Sequence, residues 1–266
     1  DHIIAPSMRV NIHTAGGIRK GVFGWPAIHT RKGKNLDMAP SLENICIDVG
    51  AKNKSEVLEM GIHVGCVVTY QDEFTEIGDN YFCGRALDNR MGGYCISQVA
   101  RLLHENKNKL PFGLYIVNSV QEEIGLRGAE MISQTIKPNV AIITDVTHDT
   151  RTPMINKVEN GDITCGSGPA LTYAPLIHNK LLQIILDTAK DGEIPYQLSA
   201  ASRSTGTDTD AFAYANGGTP SALISLPLRY MHTTVEMAHK EDVEGVIKLI
   251  YNTILKLDPK FNYKYF

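Results

Sequence analysis

The chain has 266 residues, of which 43% are hydrophobic and 21% are charged, and its formal net charge at pH 7 is -3. This length suffices for one large domain or two smaller ones, and the composition argues against a disordered chain. The slightly acidic balance argues against a nucleic-acid-binding protein, and no apolar stretch reaches the length needed to span a membrane.

The first 80 residues predict short β-strands separated by glycine-containing turns. The strand-like segments are RVNIHT, GIRKGVFG, ENICIDVG and GCVVTY. One short helix is predicted from Ser55 to Met60. The even spacing of the turns indicates a small β-barrel or β-sandwich, and we take residues 1–80 as one β-rich domain.

From residue 81 onward, predicted helices alternate with predicted strands. Helices are expected at residues 89–106, at 180–190 before Gly192, and over a final apolar stripe from Val243 to Ile254. Buried strands are expected at residues 114–120, 140–146 and 221–226. This alternation predicts an α/β layered domain with a mostly parallel sheet over residues 81–266.

The five cysteines are odd in number and include no CxxC pair. Most of them lie inside apolar runs. This usage favours buried, reduced thiols in a cytoplasmic protein over disulfides or zinc thiolates.

Four groups of possible metal ligands stand at or near the ends of apolar runs or at the mouth of a predicted helix. They are Asp88 in RALDNR, the pair Glu122-Glu123 in NSVQEEIGLRG, Asp145 in AIITDVT and His232 in LRYMHTTVE. In open α/β sheets, ligands bind outside the carboxyl ends of the strands. Carboxylates and an imidazole in this order predict a hydrolytic site with two divalent metals.

Taken singly, each group has a simpler structural explanation. Asp88 can serve as a helix N-cap, with Asn89 as the other choice for that cap. Asp145 can cap the loop that follows it, and a lone histidine such as His232 is usually structural. Glu-Glu pairs are common on solvated surfaces. Glu236 could orient the ring of His232.

Adjacent residues in extended backbone point to opposite sides, so Glu122 and Glu123 should have different roles. One is expected to bind metal and the other to act as a general base. Their adjacency argues against a glycosidase, whose two carboxylates face each other across a bond. His148, Arg229 and Asp208 are expected to contact substrate or support the ligands, although helix capping explains Asp208 more simply.

Together, ALDNR, VQEEIGLRGA, TDVTHDT and PLRYMHT resemble the tetrahedral (TET) and glutamyl aminopeptidase family of two-metal peptidases. That family includes deblocking aminopeptidases and proteins once labelled endoglucanase M. The resemblance covers nearly the whole chain, because GVFGWPAIH and IDVGAKNKSEV resemble the family's inserted β-rich domain. It implies a zinc-peptidase-like three-layer α/β sandwich with a mostly parallel central sheet and an inserted small β-barrel.

The resemblance also implies residue roles. Asp88 would bridge two metals and form a cis peptide bond with the next residue, and Glu122 would be the general base. Glu123 and His232 would complete one metal site. Asp145 would serve the other site, together with a histidine from an Ala-His-x-Asp-Glu type motif.

The family's metals are zinc or cobalt, and manganese suits the same ligands. Its subunits pair through the β-rich domain and build a twelve-subunit tetrahedral particle. The histidine motif does not occur here, and in the family about a quarter of the chain would precede Asp1, so we expect the first strands and helix of the catalytic domain upstream.

We therefore predict a cytoplasmic, metal-dependent aminopeptidase that acts on peptides. The alternatives are a non-catalytic or truncated assembly subunit of the same fold and, with less support, a carbohydrate hydrolase.

Overall fold

The computed structural model describes residues 2–33 and 38–264. The chain forms two compact units, one built mainly from residues up to 74 and the other mainly from residues 75 onward. No helix within the described ranges combines the length and the apolar character needed to cross a membrane.

The first unit contains an open antiparallel sheet and one short helix. Its elements are β1 (Arg9–Thr14), β2 (Gly17–Gly24), β3 (Cys46–Asp48), α1 (Lys54–Glu59) and β4 (Val67–Tyr70). The strand order is β3-β2-β1-β4. The β-rich prediction for this part of the chain is confirmed. Its described strands form an open sheet, and closure into a barrel is not seen among them.

The second unit is an α/β structure around a seven-stranded sheet, as predicted in outline. Its elements are β5 (Thr75–Ile77), β6 (Tyr81–Gly84), α2 (Leu87–Glu105), α3 (Arg127–Ile136), β7 (Ala141–His148), α4 (Lys157–Asn160), β8 (Ala170–Tyr173), α5 (Asn179–Asp191), β9 (Gln197–Ala200), α6 (Asp208–Ala213), β10 (Ser221–Arg229), β11 (Glu236–His239) and α7 (Lys240–Lys256). The strand order is β5-β6-β11-β10-β8-β9, and β7 also pairs with β10. The long strand β10 is therefore the centre of the sheet.

The sheet is mixed, and the prediction of a mostly parallel sheet is wrong for the described strands. Only the pairs β7–β10 and β8–β9 are parallel, whereas the other four pairs are antiparallel. The reason is visible in the connections. Only residues 230–235 join β10 to β11, and so short a connection returns the chain antiparallel, because a parallel pair needs a crossover of about a dozen residues or more.

The predicted strand at residues 114–120 does not form among the described residues. This segment is irregular, and its apolar side chains are largely exposed, with Tyr115 68% and Val120 65% accessible. An apolar run becomes a strand only when a neighbouring backbone pairs with it. The described strands form no ladder with this run, so its sequence pattern was not sufficient.

The helices predicted from apolar periodicity are confirmed and enclose the core of the second unit. In α2, the side chains of Met91, Cys95, Val99 and Leu103 form one buried stripe. Helix α7 packs against both α2 and α5, and α2 also contacts β7. This packing places the start of α2 beside the sheet, where the candidate site is found.

Candidate active site

The turn into α2 carries Asp88 and is held by several hydrogen bonds. Asp88 and Asn89 have non-helical backbone angles, and the peptide bond between them is cis, as the resemblance implies. The Asp88 N–H donates a hydrogen bond of 3.2 Å to Oε2 of Glu236, a buried carboxylate. Asn89 Oδ1 accepts the Gly92 N–H at 2.8 Å. The helix cap predicted for Asp88 or Asn89 is therefore Asn89.

Asp145 lies inside β7, three residues before the strand ends at His148, in register with Ser225 of β10. Its side chain is buried. Its Oδ1 atom accepts hydrogen bonds from the Val146 N–H at 2.8 Å and from Asn89 Nδ2 at 3.1 Å. The second contact connects β7 to the turn that carries Asp88.

Burial raises the pKa of Asp145 to about 7. The negative charges of Asp88, Glu122 and Asp208 contribute to this rise, whereas the hydrogen bond from the Val146 N–H opposes it. Such repulsion shows that several carboxylates are gathered around Asp145. A bound cation would relieve it, because an opposite charge favours the ionised carboxylate.

The Glu122-Glu123 pair lies in a 3-10 turn, Glu122–Ile124, that follows the irregular segment. The turn is closed by the Gly128 N–H, which donates to the carbonyl of Val120 at 2.9 Å. A Cβ atom at Gly128 would lie 2.3 Å from that carbonyl oxygen. A side chain at this position would therefore displace the backbone that carries both glutamates.

Asp208 lies in the first turn of α6 and contacts the segment that leads to the glutamates. The Ser119 hydroxyl donates a hydrogen bond to its Oδ2 atom. Its Oδ1 atom is buried and has no hydrogen-bond partner among the described residues. Burial raises the pKa of Asp208, and the hydrogen bond from Ser119 opposes this effect. The expectation that Asp208 caps the helix is wrong, because Thr207 is the N-cap and accepts the Thr209 N–H.

Three of the predicted metal ligands converge. Asp88, Glu123 and His232 each offer one ligand atom, and these atoms lie within 4.8 Å of one another. His232 follows β10 in a turn and has a positive φ of 64°. Two carboxylate oxygens and one imidazole nitrogen form a donor set that suits zinc or a similar divalent ion. The residues present therefore fit a metal site.

Two further predicted residues stand at the ends of neighbouring strands. His148 ends β7, is exposed, and lies opposite Leu228 of β10. Arg229 ends β10 and forms an ion pair of 2.6 Å with the fully buried Asp149. Burial acts to raise the pKa of Asp149, but its hydrogen bonds, the strongest of them from Arg229, bring the pKa below its usual value. The Arg229 guanidinium also lies 4.8 Å from the centre of the Tyr81 ring.

The contacts that hold these groups in place were not predicted from the sequence. The sequence pattern indicated only a helix cap for Asn89 and gave no role for Ser119. Glu236 was expected to orient His232, and the structure shows that its carboxylate accepts the Asp88 N–H. The positions of Asn89 and Ser119 beside the ligand motifs were the only signal in the sequence.

Comparison with known proteins supports the resemblance. Residues 1–249 match the M42 glutamyl aminopeptidase family. The lysyl aminopeptidase of Pyrococcus furiosus is 35% identical over 95% of this chain and 71% of its own length. The TET aminopeptidase from a marine sediment Thaumarchaeota archaeon is 28% identical with a TM-score of 0.89, covering 96% of this chain and 72% of its own.

The TET1 peptidase of Pyrococcus horikoshii, which can assemble into a tetrahedron or a large octahedral shell, is 25% identical with a TM-score of 0.81. That match covers 97% of this chain and 74% of the TET1 chain. The chain spans between 53% and 71% of the length of its named relatives. By its match along residues 1–249, the chain belongs to the M42 glutamyl aminopeptidase family.

Proposed function

We propose that this protein is a metal-dependent aminopeptidase that removes residues from the N-termini of peptides. The observation that carries the proposal is the convergence of Asp88, Glu123 and His232 within 4.8 Å. Glu122 stands next to one of these ligands in the same turn. Family membership and the aminopeptidases among its relatives support the same reaction.

Asp88, Glu123 and His232 would hold one divalent ion. Asp88 and Asp145 would hold a second ion. When bound, such ions polarise a carbonyl oxygen and lower the pKa of a water molecule. Zinc and cobalt are the expected metals, and manganese accepts the same oxygen and nitrogen donors.

Glu122 would act as the general base. Its carboxylate takes a proton from water while the water oxygen forms a bond to the scissile carbonyl carbon. Glu122 then passes the proton to the amine nitrogen as the carbon–nitrogen bond breaks. Glu123 cannot take this role while it serves as a ligand, which gives each glutamate of the pair one task.

An aminopeptidase must recognise a free α-ammonium group. Asp208 is a suitable partner for it, because its buried Oδ1 atom has no hydrogen-bond donor among the described residues. A buried acceptor without a donor costs free energy, about 1–3 kcal/mol for a polar group, and a cationic ligand would remove that cost. His148 and Arg229 are proposed to contact the rest of the peptide, although the charge of Arg229 is already paired with Asp149.

The larger organisation is also a proposal. Residues 81–266 would form the three-layer catalytic domain, and residues 1–80 would form an inserted barrel through which subunits pair. The assembly state of the TET1 peptidase supports self-association, with a dimer-based dodecamer as the expected particle. The reduced cysteines support a cytoplasmic location.

The decisive variant is Glu122→Gln, which keeps the shape of the side chain and removes the base. We expect it to retain bound metal, measured by elemental analysis, and to lose about 10²–10⁴ in kcat on aminoacyl-anilides. Glu130→Gln is the matched control, because Glu130 is an exposed glutamate on α3 that forms a surface ion pair with Arg127.

Full activity of Glu122→Gln would contradict the proposed base. A wild-type protein that binds no zinc or cobalt and cleaves no anilide would favour the non-catalytic assembly subunit. Cleavage of cellulose oligomers would favour the carbohydrate hydrolase.

A further inference from the structure

We propose that Asn89 is a positioning residue that turns the Asp145 carboxylate so that its Oδ2 atom faces the cation. The inference rests on the proposed function, because it assumes that Asp145 is a metal ligand. It assigns a role to a side chain that follows Asp88 in the chain and contacts Asp145, but that is not proposed to bind metal itself.

The carboxamide of Asn89 is held by three hydrogen bonds. Its Nδ2 atom donates to the carbonyl of Thr144 at 2.9 Å and to Oδ1 of Asp145 at 3.1 Å. Its Oδ1 atom accepts the Gly92 N–H at 2.8 Å. If the amide were flipped, its oxygen would face two acceptors, the Thr144 carbonyl and the Asp145 carboxylate. Its NH₂ group would then face the Gly92 N–H, which is a donor. The three partners therefore fix the orientation of the Asn89 side chain.

These contacts make the two oxygens of the Asp145 carboxylate differ in their hydrogen bonding. Oδ1 accepts both the Asn89 Nδ2–H and the Val146 N–H. Among the described residues, the hydrogen bonds to this carboxylate all reach Oδ1. Oδ2 is therefore the oxygen with lone pairs left for a cation, and Asp145 is expected to bind through that single atom.

Asn89 also couples the two carboxylates that the second ion would share. Its backbone follows Asp88 directly, and its side chain reaches Asp145 on β7. The Asp88 N–H is fixed from the other direction by the buried Glu236. A hydrogen bond to an ionised carboxylate is stronger than one between neutral groups, so the Asn89 contact stabilises Asp145 in its metal-binding form.

The test compares Asn89→Ser with the wild type in affinity for zinc and for cobalt, measured by competition with a chromophoric chelator. Serine is a good N-cap residue and can still accept the Gly92 N–H, but it is too short to reach Asp145. Loss of a side chain that orients a ligand typically costs about 10–100-fold in metal affinity. We expect the affinity for one of the two ions to fall by that factor, and the absorption spectrum of the cobalt-loaded protein to change.

Asn156→Ser is the matched control. Asn156 caps α4 by accepting the Val158 N–H at 3.0 Å and lies in a different turn. We expect this variant to bind both ions with wild-type affinity. Circular dichroism and thermal unfolding of the metal-free variants would show whether each remains folded.

Wild-type affinity and an unchanged cobalt spectrum in Asn89→Ser would overturn the role of Asn89. A lost affinity accompanied by a metal-free protein that unfolds well below the Asn156→Ser control would also overturn it, because the role would then be structural. Asp145→Ala separates this inference from the proposed function. If that variant keeps both ions, Asp145 is not a ligand and the proposed metal set fails.

Discussion

Asp145 and Glu122 are proposed to serve the same reaction, but the chain supports them differently. Asp145 lies on β7, is buried, and is held by a parallel ladder to β10 and by a hydrogen bond from Asn89. Glu122 lies in a 3-10 turn after an irregular, exposed segment. Asp145 is positioned by the sheet, whereas Glu122 is positioned by a glycine contact and a few local hydrogen bonds.

This difference between a sheet-supported part and a turn-supported part has a physical consequence. Breaking a strand ladder requires the loss of many backbone hydrogen bonds together, so the region around Asp145 should open only with the fold. The turn at Glu122 can shift when one contact is lost. We therefore expect mutations that break contacts between β7 and β10 to reduce stability, and mutations beside Glu122 to reduce activity more than stability.

The largest effect is expected in the sheet-supported part, from Arg229→Leu. Arg229 and Asp149 join the ends of β10 and β7, and the variant leaves Asp149 buried with a negative charge and no cationic partner from this pair. Removing one member of a buried ion pair costs about 3–5 kcal/mol in the free energy of unfolding. Urea unfolding of the metal-free wild type and variant measures this difference in the free energy of unfolding.

Arg127→Leu provides the control for that experiment. Arg127 pairs with Glu130 at 3.2 Å, but both side chains are exposed, and an exposed pair contributes about 0–1 kcal/mol. Equal losses in the two variants would show that the Asp149 pair contributes no more than a surface contact. That result would contradict the expectation that contacts between β7 and β10 stabilise the sheet-supported part more than surface contacts do.

The second effect is expected in the turn-supported part, from Gly128→Ala. The added Cβ would lie 2.3 Å from the Val120 carbonyl oxygen, so the backbone before the glutamates must move. A displacement of about 1 Å at a catalytic group can cost about 10²-fold in rate. We expect kcat/KM on an aminoacyl-anilide to fall by that factor while metal-free unfolding changes less than in Arg229→Leu.

Gly93→Ala is the matched glycine variant. Its added Cβ would meet Asn118 Oδ1 at 3.5 Å, an ordinary contact, and alanine is favoured over glycine in a helix interior by about 0.5–1 kcal/mol. This variant should keep its activity. If Gly128→Ala keeps it too, the turn is not fixed by the Val120 contact.

The two parts of the site also differ in how well the sequence predicted them. The strand that carries Asp145 was predicted from the apolar run at residues 140–146, and this pattern is local. The run before Glu122 has a similar pattern but forms no strand among the described residues. Local composition indicates that a segment is apolar, but it does not indicate whether the backbone of another segment will pair with it.

The contacts that organise the site could not be predicted for a related reason. Asn89 and Asp145 are 56 residues apart in the chain, and Ser119 and Asp208 are 89 apart. No periodicity or capping rule joins residues at such separations. The antiparallel direction of β11, in contrast, could have been predicted, because the short connection at residues 230–235 excludes a parallel crossover.

The smallest effect is expected from Ser119→Ala. This change removes the donor to Oδ2 of Asp208, whose Oδ1 is already without a donor among the described residues. Loss of one side-chain hydrogen bond costs about 0.5–1.5 kcal/mol, and more when a buried acceptor is left. We expect about 1–2 kcal/mol by urea unfolding and a fall in kcat/KM smaller than that of Gly128→Ala.

Ser97→Ala is the control, because the Ser97 hydroxyl donates at 2.8 Å to the Gly93 carbonyl on the exposed side of α2. It should leave kcat/KM unchanged. Metal affinity distinguishes the two parts of the site further. Ser119→Ala should bind zinc as the wild type does, because the Ser119 hydroxyl donates to Asp208, which is not one of the proposed metal ligands. Asn89→Ser should bind zinc more weakly. If Ser119→Ala instead loses metal, the irregular segment and Asp145 on β7 depend on each other. The proposed difference in support between Asp145 and Glu122 would then be wrong.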